Sequence, residues 1–314
     1  MAESEVVQPK RFPTNLLPMK YWENRKCYYI PNAQEFLNKV HDVEVYDDDV
    51  WLVSLPKCGT TWMQELLWLV LNNYDFEAAK SEHLEKRSPF MEFHYIIHKD
   101  LKGAFKAIET TNRPRLIKSH LCLALLPAQI WNKKTKVIYV SRNPKDAFVS
   151  EYHFFRHMGF FSAHITLEEY LNNRMESECS SEQFDNMTEY YALRSEPWLY
   201  YTSYERMKTD LRSVIQDVCQ FLNKPIDEET MQQMLKHLSF EEMKKNPTTN
   251  HLWEIEQARK MNQVPLEDFN FCRKGKVSGY KEEISTALAM KLDKWVQDKM
   301  KRYNTTMEDL LLLN

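Results

Sequence analysis

The sequence predicts an α/β fold: a single domain with a central, mainly parallel β-sheet flanked by helices. Three observations carry this expectation. Short apolar runs of strand length alternate with helix-length amphipathic segments, the pattern of a parallel sheet. The 314 residues, 43% hydrophobic and 28% charged, suffice for one large buried core without a disordered remainder. Polar residues stand at the carboxyl ends of successive strand candidates, where parallel sheets bind ligands.

The elements follow in chain order. Residues 50–55 (VWLVSL) form the first strand candidate, and Pro56–Thr61 reads as a loop. Residues 62–72 are apolar on almost every face, which predicts a deeply buried helix. A second strand spans 115–119 and ends at His120; a third spans 136–141 and ends at Arg142. Pro144 suits the first turn of the next helix, where its missing N–H costs nothing. A fourth strand near 198–202 precedes Tyr204 and a helix over about 206–222. Residues 246–279 are polar, proline-containing and poorly periodic, so a long functional loop is expected there. A helix over about 282–302 closes the fold. Neither an internal repeat nor a linker-like composition break divides the chain.

Composition excludes several functions. Only 5 glycines occur, against the roughly 7% usual in proteins. They cannot be arranged into G-x-G-x-x-G or G-x-x-x-x-G-K-[ST], so neither a dinucleotide fingerprint nor a Walker loop exists. The net charge of −3 gives no global field for nucleic acid or an anionic membrane. No apolar run approaches the ~20 residues of a membrane span, and the start lacks signal-peptide character. A cytoplasmic protein with reduced thiols is therefore expected, its six cysteines showing no C-x-x-C pair. His94/His98 and His153/His157 have H-x-x-x-H spacing, but neither has the glutamate of H-E-x-x-H, and no metal site is expected.

The chemistry concentrates in a few stretches. Lys57, Cys58, Gly59, Thr60, Thr61 and Trp62 lie between a strand and a helix. There glycine allows close backbone approach and a helix start directs free N–H groups at an anion. The lysine precedes the glycine, the reverse of a Walker loop, which disfavours a kinase or ATPase. Arg273, Lys274 and Gly275 offer a second basic turn. His120, beside Lys118, has a side chain whose ordinary pKa suits proton transfer near neutrality.

In these stretches the chain resembles the cytosolic sulfotransferases, which use 3′-phosphoadenosine 5′-phosphosulfate (PAPS). The family's Y-P-K-S-G-T-T-W is similar to LPKCGTTW at 55–62. PRLIKSHL at 114–121, VIYVSRNPKDAFVS at 137–150, FEEMKKNP at 240–247 and FCRKG at 271–275 follow in the family's order. The resemblance spans roughly residues 35–300. It implies a P-loop-like phosphosulfate-binding loop formed by Lys57, the Cys58 backbone, Gly59, Thr60 and Thr61, with Lys57 facing the bridging oxygen. It assigns the 3′-phosphate to Arg142, Ser150, Arg273, Lys274 and Gly275, and the adenine side to Trp62, Tyr204, Ser239 and Phe240. His120 becomes the general base and Lys118 a neutraliser of the transferring group. Approximate family position places Phe12, Phe90, Phe93 and Phe154 in the acceptor pocket. Residues 1–34 would contribute to that pocket, with 35–314 as the sulfotransferase domain.

The implied reaction moves a sulfuryl group from PAPS to a small, largely apolar alcohol or phenol, leaves 3′-phosphoadenosine 5′-phosphate (PAP), and requires no metal. A nucleotide-dependent phosphotransferase and a nucleotide-binding member without turnover remain alternatives. Departures from the family pattern are Cys58 for serine, Leu238 for threonine, Cys122 for proline, Arg206 for the aspartate of Y-E-D-M, and Ser278-Gly279-Tyr280 for Gly-Asp-Trp. The dimer signature K-x-x-x-T-V-x-x-x-E is degraded to Lys281, Ser285, Thr286 and Met290, so a homodimer is possible but poorly encoded.

Overall fold

The structure is a computed structural model that describes residues 4–162, 164–265 and 271–313. Among them are six strands. β1 (Glu5–Val7) and β2 (Cys27–Tyr29) form a small antiparallel sheet that the sequence pattern does not reveal, each strand being three residues long. β3 (Val50–Val53), β4 (Leu116–Ser119), β5 (Lys136–Ser141) and β6 (Leu199–Ser203) form the central sheet. Their spatial order is β4-β3-β5-β6 and every pairing is parallel, Val50 registering with both Leu116 and Lys136, and Val137 with Leu199.

Alternation along the strands sends side chains into two cores. Trp51, Val53, Ile117, Val137, Tyr139, Leu199 and Tyr201 enter one, while Val50, Leu52, Leu116, Ile138 and Val140 enter the other. The second core is closed by α1 (Thr60–Leu71), which buries Met63, Leu66, Leu67, Leu69 and Val70. Each fully buried side chain of this size stabilises the fold by about 1.5–3 kcal/mol relative to exposure. The sheet is thus covered on both faces, and the continuous apolar strands have their explanation.

α2 (Pro144–His157) begins with Pro144 in its first turn and Asn143 capping Lys145 N, as the sequence predicts. Other expectations are corrected. The helix expected over 206–222 is two, Tyr204–Thr209 and α3 (Leu211–Phe221), divided at Asp210, whose carboxylate caps the Ser213 N–H. Tyr204 therefore opens a helix, behind the Ser203 cap, rather than preceding one. The expected loop 246–279 contains α4 (Leu252–Met261). Its buried side mixes Ile255 and Ala258 with Glu254 and Arg259, so no apolar period betrays it. The last long helix, α5 (Thr286–Met300), starts after a Ser285 cap and a short 3₁₀ turn at Gly279–Glu282. No helix among the described residues is long and apolar enough to cross a membrane.

The parallel sheet brings Val53, Ser119, Ser141 and Ser203 to one edge. The residues that follow them, including Ser54, His120, Arg142 and Tyr204, consequently leave the sheet on the same side.

Candidate active site

The loop after β3 carries two left-handed residues, Lys57 (φ 64°) and Gly59 (φ 92°), which bend the chain sharply into α1. A Cβ on Gly59 would lie 2.8 Å from Tyr204 Cδ2, so both the backbone angle and the space favour glycine. Ser54 Oγ and Thr60 Oγ1 are 2.5 Å apart, and Thr61 Oγ1 lies 2.8 Å from His251 Nε2. Cys58 points away into the protein. Its Sγ is 3.7 Å from Pro56 O, and burial pushes the thiol up to about 12, so it packs as a neutral group.

Lys57 Nζ sits 3.9 Å from the Phe154 ring centroid and 3.8 Å from that of Phe271. Burial, then the fields of Arg142, Lys118 and Arg273, bring its ammonium down to about 7. Arg142 donates to Lys57 O at 2.7 Å and stacks 4.1 Å over Tyr204, while its buried Nε has no hydrogen-bond partner among the described residues. Ser150, from α2, faces the same cavity.

The late basic turn lines the same cavity. Arg273 Nη1 and Lys274 Nζ lie 2.7 and 3.0 Å from Glu283 Oε1, and His153 Nε2 lies 2.6 Å from Oε2. Although burial pushes Glu283 upward, these contacts hold its carboxyl below the usual range. Gly275 has φ 60°, and a Cβ there would come within 2.3 Å of Phe240 Cδ2. Trp62 donates to Leu238 O at 2.8 Å and meets Tyr204 edge-on at 5.9 Å. The Leu238 departure thus leaves a backbone acceptor in use. Ser239 does not line the cavity: its hydroxyl caps the helix Phe240–Lys245.

His120 is fixed from both sides. Its Nδ1 lies 2.6 Å from Ser54 O, a carbonyl that can only accept, so the neutral ring carries its proton on Nδ1 and leaves Nε2 with a lone pair. Its backbone N–H donates to Glu92 Oε1 at 2.6 Å, where Ser119 Oγ also donates at 3.0 Å. Burial, followed by the charge of Lys118, lowers the imidazole to about 3, so it is the neutral, basic form at pH 7. Glu92 is fully buried and raised to about 7 by desolvation. Lys118 Nζ donates to Glu85 Oε1 at 2.8 Å and lies 4.6 Å over Phe90, whose ring meets His120 at 4.9 Å.

These residues surround one cavity of about 500 Å³. Phe90, Phe93 and Phe154 line it, as do Tyr28, Tyr29 and Ile30 of the N-terminal segment. Phe12 does not; it stacks on Trp22 at 5.2 Å, and that packing accounts for it. Phe155, Phe160, Phe271, Glu85, Glu92, His251 and Glu254 are lining residues that the sequence analysis missed. Of these, Phe271 opens the FCRKG stretch at 271–275, so that stretch already points to it. Neither histidine pair gathers a third ligand atom among the described residues; the threefold grouping there is Glu85, His251 and Glu254.

A family model for the sulfotransferase domain matches residues 47–304. The chain belongs to the sulfotransferase family and is a sulfotransferase enzyme. It is 36% identical to luciferin sulfotransferase of Photinus pyralis, covering 85% of this chain and 75% of that protein. It is 31% identical to sulfotransferase 1E1 of Bos taurus, covering 87% and 91%. In fold it is similar to retinol dehydratase, solved with retinol and PAP, at TM-score 0.76 and 21% identity over 97% of this chain and 98% of that one. It is likewise similar to mouse sulfotransferase SULT7A1, solved with PAP, at TM-score 0.65 and 23% identity over 88% and 93%.

Proposed function

We propose that this sulfotransferase moves the sulfuryl group of PAPS to the hydroxyl of a small, largely apolar alcohol or phenol, with His120 as general base. The carrying observation is the convergence of Lys57, Lys118 and a neutral, oriented His120 on one aromatic-lined cavity.

The residues fit such a nucleotide. Cations line the cavity, Lys57 and Arg142 beside the loop after β3 and Arg273 with Lys274 in the late turn, and the buried Arg142 Nε lacks a hydrogen-bond partner among the described residues. The two left-handed glycines let the backbone approach where side chains would collide. Bound there, the nucleotide supplies an activated sulfuryl group on a phosphate leaving group. Lys57 stabilises charge on the departing oxygen, and Lys118 neutralises the oxygens of the group in transit. Sulfuryl carries less charge than phosphoryl, so positioned lysines suffice in an in-line transfer of this kind without a metal. His120 Nε2 takes the acceptor's hydroxyl proton, its ring held by Ser54 O. An anion beside Lys57 and Lys118 offsets the fields that depress His120, making it a stronger base when the site is loaded. The aromatic wall orients the acceptor and excludes water.

Binding tests the donor assignment. PAP is expected to raise the unfolding temperature more than ADP at equal concentration, because it alone carries a 3′-phosphate for Arg142, Ser150 and Arg273. Equal stabilisation by both would remove those residues from that role.

A further inference from the structure

His251 sits at the start of α4, in the left-handed region (φ 52°), with its ring buried in the cavity wall. Its Nε2 is 2.8 Å from Thr61 Oγ1 in the anion loop. On the other side, Nδ1 is 3.7 Å from Glu254 Oε1 and 3.8 Å from Glu85 Oε1. Among the described residues, both oxygens of Glu254 and Glu85 Oε2 are buried without a hydrogen-bond partner. Glu254 is also 3.5 Å from His83 Nδ1, and Glu85 Oε1 accepts from Lys118. The remaining groups around the ring are Phe271 at 4.6 Å with Lys57 over it, and His120.

We propose that His251 is a positioning residue for the donor loop, holding protons on both ring nitrogens when the phosphosulfate is bound and so turning the Thr61 hydroxyl proton toward that anion. The inference rests on the donor reading given above.

A neutral His251 has one N–H, which two carboxylates draw to Nδ1. Nε2 then accepts from the Thr61 hydroxyl, and Thr61 offers an anion only lone pairs. With both nitrogens protonated, Nε2–H donates to Thr61 Oγ1 and the Thr61 O–H is released to donate into the site. The buried carboxylates supply the countercharge for that state. Burial would raise Glu254, yet the facing His251, then its own backbone N–H and His83, reverse this and leave it lowered to about 2. Through Glu85 the same cluster holds Lys118, joining the donor loop to a second cation of the transfer site.

The test uses the full chain with PAP as probe. NMR of ¹⁵N-histidine-labelled protein, with the His251→Gln variant supplying the assignment, reads the protonation of both ring nitrogens. With PAP bound, His251 should stay doubly protonated to higher pH than without it. Calorimetry should show proton uptake on PAP binding that is smaller in His251→Gln, the residue left over belonging to Lys57. His251→Leu should weaken PAP binding about tenfold. His251→Gln, which keeps an N–H for Thr61, should recover part of that loss. In a Thr61→Val background the His251→Leu effect should nearly vanish.

Three results would overturn the proposal: a singly protonated His251 in the PAP complex, unchanged proton uptake in His251→Gln, or additive Thr61→Val and His251→Leu effects. Ring signals that change on adding EDTA to nucleotide-free protein would also overturn it, making Glu85, His251 and Glu254 ligands of a bound cation. Failure of wild-type protein to bind PAP at all would instead refute the donor reading itself.

Discussion

The two ends of the cavity are built by different means. The end proposed to hold the donor comes from the ends of neighbouring strands: Lys57 to Thr61 after β3, Arg142 after β5 and Tyr204 after β6, with one late turn at Arg273 to Gly275. Backbone geometry sets it, as the two glycines that abut Tyr204 and Phe240 attest. The end proposed to hold the acceptor is a wall of aromatic side chains from Phe90, Phe93, Phe154, Phe155 and Phe160, with Tyr28 and Tyr29 from the N-terminal sheet. Side-chain shape sets that end. On the proposed reading, recognition of the nucleotide and of the acceptor can therefore change independently, and substitutions should separate the two.

The largest separation is expected at Lys57. Lys57→Ala should lower the transfer rate about 10²–10³-fold, the range for losing one preorganised charge donor, with a smaller effect on acceptor KM. Single-turnover kinetics would measure it, and an unchanged rate would place the leaving-group charge elsewhere. Gly275→Ala comes next. Its φ of 60° and the nearby Phe240 ring should cost about 1–3 kcal/mol, felt as roughly tenfold weaker PAP binding by calorimetry.

The pH dependence of binding is a third handle on the donor end. Lys57 is lowered to about 7 in the free protein, first by burial and then by neighbouring cations, and a bound anion favours its charged form. Binding then takes up a proton above that pH, so affinity falls as pH rises. Lys57 alone should contribute about a tenfold loss between about pH 6 and about pH 8. Lys57→Met should abolish that share, and a slope unaltered in this variant would show that another group titrates. The smallest effect belongs to the acceptor end. Phe93→Leu should raise acceptor KM only about threefold to tenfold, an aromatic contact being worth about 0.5–1.5 kcal/mol, while PAP affinity stays within about twofold.

The same division governs what could be read in the sequence. The stretches assigned to the donor are legible because each is short and consecutive and its residue types carry the chemistry, as in a lysine two places before a glycine, then paired threonines. The four central strands were legible because both faces are buried. The acceptor end was not, since any aromatic residue serves core and pocket equally. Phe12 is expected there but stacks on Trp22, while Phe271 goes unassigned although it opens the recognised FCRKG stretch. Ser239 was read as a nucleotide contact and is a helix cap. Glu92 and Glu254 were invisible because a buried carboxylate has no sequence signature; only the fold brings Glu92 beneath His120 and Glu254 beside His251. α4 was missed for the related reason that its buried side includes charged residues.

The central claim is that a neutral His120, held by Ser54 O, is the base of a PAPS-dependent transfer. The direct measurement pairs two readouts on His120→Ala: transfer from labelled PAPS to a panel of hydroxyl compounds, and PAP affinity by calorimetry. For acceptors turned over by the wild type, the rate should fall about 10²–10⁴-fold, with PAP affinity changed by less than about threefold. Undiminished transfer in a variant that still binds PAP would contradict the account.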